Sequence, residues 1–149
     1  MSLEAQITQD MKTAMRAKDK VALEAIRAIK SAILLAKTES GGKDGLSEDE
    51  ELKILTKLKK QRTDSASIYH EQGRADLAEG EEAQIAIIDK YLPQQLSEDE
   101  IKAIVNDITA KTGASGMKDM GKVMGMANKQ MAGQADGKTI SGIVKSLLS

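Results

Sequence analysis

Apolar residues in this chain recur at intervals of three and four in seven separate stretches, and none alternates in twos as a half-buried strand must. That periodicity predicts helices throughout. Leu3, Ile7, Met11, Ala14 and Met15 give a first helix over about residues 2–16. Asp19 is placed to cap a second, with Ala22, Ile26, Ile29, Ile33 and Ala36 along one face. Residues 40–45, with three Gly and no apolar side chain, read as a flexible loop. A long third helix opens at Leu46-Ser47-Glu48-Asp49-Glu50, where Ser47 and Glu50 form a capping box and Leu46 a hydrophobic staple. Its seam of Leu55, Leu58, Arg62, Ala66 and Tyr69 carries one charge, and it ends near Gly73.

A fourth helix runs from about Arg74 to Tyr91, with Ile85, Ile88 and Leu92 buried, and Pro93 stops it. The pentapeptide of residues 46–50 returns letter for letter at 96–100, opening a fifth helix packed by Ile101, Ile104, Val105 and Ile108. The residues after the two copies differ completely, so the copies read as one good N-terminal signal used twice. Ser115 can cap a sixth helix with Met117, Met120, Met124, Ala127 and Met131 on one stripe, ended by Gly133. Asp136 can cap a seventh, with Ile140, Ile143, Val144 and Leu147 inward. The predicted fold is all-α: a four-helix part at 1–92, then a small three-helix domain at 94–149.

Composition agrees and excludes chemistry. Of 149 residues none is Phe, Trp or Cys, two are Tyr and one is His. Large β proteins draw on aromatic and β-branched residues that are thin here. Without Cys there is no thiol nucleophile or redox pair, and one His cannot build a His₂ or His₃ metal site. No metal is expected, and few aromatics argue against base-stacking readers. No segment approaches about 18 apolar residues, so no membrane partner is expected. The opening MSLEAQITQDMK lacks the order of a secretory signal, which makes a cytoplasmic protein the expectation.

The net charge of −1 averages two different halves. Residues 111–149 carry six Lys against Asp119 and Asp136, and hold seven of twelve Gly and five of eight Met. Two stretches there imitate a phosphate-binding loop, at Gly116–Lys122 and Gly133–Thr139. Neither follows a hydrophobic strand, and the first has Val123 where a Ser or Thr would hold magnesium. No nucleotide or other cofactor is therefore expected. Gly121 and Gly125, four apart, read first as packing residues that let another backbone approach, and secondly as room for a sugar–phosphate backbone. The Met stripe reads as core, with some Met free for a partner. His70 reads as a surface or capping residue near a helix end. Lys118, Lys122 and Lys129 share one side of the sixth helix, and Lys138 and Lys145 lie two turns apart on the seventh. They suit a phosphate footprint, or an ordinary solvated face.

Tyr91-Leu92-Pro93-Gln94-Gln95-Leu96-Ser97, with Glu100-Ile101 after it, resembles the junction of the GatB/YqeY family. Met120-Gly121-Lys122-Val123-Met124-Gly125, then Gly133-Gln134-Ala135-Asp136-Gly137-Lys138 and Ile143-Val144-Lys145, resembles that family's C-terminal signature. Ala28–Ile33 and Asp76-Leu77-Ala78 look like its N-terminal part. The resemblance implies a domain shared with the tail of the B subunit of tRNA-dependent amidotransferases, carbon–nitrogen ligases that use glutamine as amido-N-donor. It implies tRNA, an amidotransferase or another tRNA-linked protein as partner. The kinase and amidase parts of such an enzyme have no counterpart in these residues, so the expected role is an accessory module without catalytic residues of its own. Lys118, Lys122, Lys129, Lys138 and Lys145 would meet phosphates, and Gly121, Gly125 and Gly137 would allow close approach. The alternative is a protein-interaction module using the Met-rich C-terminal face or the helix at 46–73.

Overall fold

The computed structural model describes residues 2–40 and 45–149. The centre of the expected glycine loop, 41–44, lies outside the described residues. Seven α-helices are formed among those described, with no strand: α1 Leu3–Ala17, α2 Lys20–Glu39, α3 Glu48–Glu71, α4 Ala75–Asp89, α5 Glu98–Thr112, α6 Met120–Gln130 and α7 Gly137–Leu148. Contacts group them into two units, Met1–Leu92 and Pro93–Ser149.

In the first unit Leu3, Ile7, Ala22, Ile26, Ile29, Ile33, Leu55, Ile88 and Leu92 bury one aliphatic core. Each fully buried side chain of this kind contributes on the order of 1.5–3 kcal/mol. Met15, expected on the α1 stripe, is exposed instead, beside the left-handed C-cap Lys18. The charged seam position of α3 is satisfied: the Arg62 guanidinium donates to the Leu58 carbonyl and to Gln84 on α4. Gln84 in turn donates to Glu24 on α2, so three helices share one polar chain. The Tyr91 phenol donates to Asp10 on α1 and ties the end of α4 across the unit. Burial first, and then that hydrogen bond, raise the Tyr91 pKa above the usual phenol range.

The two identical pentapeptides behave differently. Ser97 and Glu100 form the complete reciprocal capping box. Ser47 accepts from the Glu50 amide, but its hydroxyl meets the Glu50 carboxylate, and the return bond to the backbone is not made. The next residue explains their separate uses. Ile101 enters the core of the second unit, whereas Glu51 accepts from the Leu3 amide and caps α1 from a distance.

Candidate functional site

The second unit buries Ile101, Val105, Ile108, Val123, Ala127, Met131, Ile140, Val144 and Leu148. α5, α6 and α7 each pack on the other two. The start of α6 is a correction: Ser115 does not cap it. A 3₁₀ turn, Met117–Asp119, leads into the helix, and the Asp119 carboxylate accepts from the Ser115 amide. Asp136 precedes α7 without a side-chain cap to its backbone, its carboxylate meeting the Thr139 hydroxyl instead.

With Val123, Ala127 and Met131 inward, 3.6-residue periodicity turns Lys122, Gly125 and Lys129 to the opposite side, with Lys118 on the preceding turn. With Ile140 and Val144 inward, Lys138, Gly142 and Lys145 point outward from α7. All five lysines are exposed, and none enters an ion pair with a carboxylate among the described residues. The structure therefore makes two cationic stripes on two packed helices, where the sequence suggested one footprint. Gly137 is exposed at the start of α7.

The packing role expected of Gly121 and Gly125 is overturned. Both are exposed, and a Cβ at either would meet nothing within 4 Å. They border open space, not another helix. Gly142 has the same environment and escaped the sequence reading, although it repeats on α7 the lysine–glycine–lysine pattern of α6. The Met stripe divides. Met131 is buried, Met120 and Met124 are partly buried in the core, and Met117 is 45% exposed, as is, at 41%, Met126, which lies outside the predicted stripe.

A groove between α5 and α7 is lined by Glu98, Asp99, Lys102, Ile143, Ser146 and Leu147, and its acidic edge repels phosphate. In the first unit His70 lies 2.7 Å from Glu82, tying α3 to α4 at the surface. Among the described residues no three His, Cys, Asp or Glu are placed to hold a metal ion, and no helix is long and apolar enough to cross a membrane.

A family model described as Yqey-like protein matches residues 4–148. The chain is 34% identical over 131 residues to the protein named altered inheritance of mitochondria protein 41, mitochondrial, of Meyerozyma guilliermondii, covering 83% of this chain and 65% of that one. The protein of the same name from Lachancea thermotolerans is 39% identical over 106 residues, covering 70% and 56%. That from Kluyveromyces lactis is 33% identical over 145 residues, covering 95% and 74%. The chain thus spans 65% and 56% of the first two relatives' lengths. These names overturn the cytoplasmic expectation, because the relatives are named as mitochondrial proteins. The physical reason is that the expectation rested on the absence of a secretory pattern, and an absence carries no address.

Proposed function

Since the chain belongs to the YqeY-like protein family, which is related to the GatB tail, we propose that it is a tRNA-binding accessory module of an amidotransferase-type or other tRNA-linked partner. Residues 1–92 and 94–149 then act as two domains, with the nucleic-acid contact in the second. The observation that carries the reading is the set of five exposed lysines without carboxylate partners among the described residues, at Lys118, Lys122, Lys129, Lys138 and Lys145. Lysines without carboxylate partners are ready to neutralise phosphates and release counterions. Exposed Gly121, Gly125 and Gly137 leave room beside them. The reading includes no catalytic step by this chain.

Titration of the full chain with bulk tRNA at low salt tests it. Micromolar or tighter binding is expected, weakened at least about tenfold by Lys122→Glu with Lys138→Glu. No binding, or binding indifferent to that double change, contradicts it.

A second reading is favoured by the exposure of Met117 and Met126, adaptable side chains suited to a protein partner. A defined partner held after RNase treatment and lost on Met126→Lys would support it. Met124 is unsuited to that test because it is partly buried in the core.

A further inference from the structure

The two outward stripes share one construction. On α6, Lys122 and Lys129 are seven residues apart with Gly125 between them, and on α7, Lys138 and Lys145 are seven apart with Gly142 between them. Seven residues of helix rise about 10 Å. Each glycine is exposed with open space where a Cβ would stand. Each stripe is therefore a low saddle between two cationic posts, and its floor is bare helix backbone. A helical carbonyl uses one lone pair within the helix and keeps another, so that floor can accept hydrogen bonds from small hydroxyl donors.

The second unit contains no aromatic residue, both tyrosines lying before Pro93. It has no platform on which an unpaired base could stack. Lysine posts, a hydroxyl-accepting floor and no stacking platform match the wide, shallow minor groove of A-form RNA, which displays 2′-hydroxyls beside the phosphates. We infer that the saddles of α6 and α7 take paired RNA through this groove, in preference to single-stranded RNA and to duplex DNA. Duplex DNA has a narrower minor groove and no 2′-hydroxyl. The inference rests on the nucleic-acid reading above and narrows it to the stems of the RNA.

Binding of the full chain to an RNA duplex of about 20 base pairs, to one of its strands and to the DNA duplex of the same sequence, at about 50 mM salt, tests it. The RNA duplex should bind at least about tenfold more tightly than either other probe. Gly125→Leu with Gly142→Leu fills both saddles with a better helix former, so the variant should melt no lower than the parent. It should lose about tenfold or more in affinity for the RNA duplex. Equal or tighter binding of the single strand or of the DNA, or unchanged affinity in the folded variant, overturns this inference and leaves the nucleic-acid reading standing. Absence of binding to all three probes overturns both.

Discussion

At the scale of single residues, Gly125 and Gly142 carry the clearest physical tension in the molecule. Glycine within a helix costs roughly 0.5–1 kcal/mol relative to alanine, and neither position gains a packing contact in return. Gly125→Ala and Gly142→Ala should therefore each stabilise the chain by about that amount in thermal melts. A loss of stability would show that each glycine serves the fold after all. The spacing of Gly121 and Gly125 was legible in the sequence, but the open environment of both was not. Two glycines four apart serve equally to admit a neighbouring helix or to leave a face open, and only the surrounding packing distinguishes these. Tyr91 is the second such residue. Its phenol is held protonated by burial and by Asp10, so its pKa is raised in the folded state. That contribution is present in full below the unfolded phenol value near 10 and is lost as pH rises through the folded value. Tyr91→Phe should cost about 1 kcal/mol at neutral pH, and denaturation at increasing pH above about 10 should show the difference from the parent shrinking.

At the scale of elements, side-chain caps mark where α1, α2, α3 and α5 start. Ser97→Ala removes a complete capping box and should lower stability by about 1 kcal/mol in urea unfolding. Glu51→Ala should cost a comparable amount by a different route, because it leaves the Leu3 amide of α1 without its partner. Fraying of α1 seen by amide exchange would identify that route. The seven helices were legible because their apolar stripes keep one period over three or more turns. Local signals served well where the cap is local, as at Asp19, whose carboxylate accepts from the Ala22 amide. They served poorly where the partner is distant in sequence. Neither the Glu51–Leu3 bond nor the chain from Arg62 through Gln84 to Glu24 leaves a mark on any short window. Ser115 failed as a cap because a 3₁₀ turn delays the start of α6.

At the scale of the whole molecule, a nearly neutral chain separates its charge. The stretch from residue 111 onward is basic, and five of its six lysines, Lys118, Lys122, Lys129, Lys138 and Lys145, stand exposed without carboxylate partners among the described residues, while Lys111 on α5 pairs with Asp107. The candidate residues were legible because charge and family signature coincide there, whereas Gly142 required the outward face of α7 to be known. Compartment was not legible, since cysteine content and hydropathy constrain solubility in water and not address. The most direct test of the proposed role is the salt dependence of tRNA binding by the full chain. If the lysines neutralise phosphates, log affinity should fall linearly with log salt, with a slope of about −4 for five contacts on paired RNA. Lys122→Glu with Lys138→Glu should make that slope shallower by about 2. Binding that is absent at low salt, or whose slope the double change leaves untouched, would contradict the account.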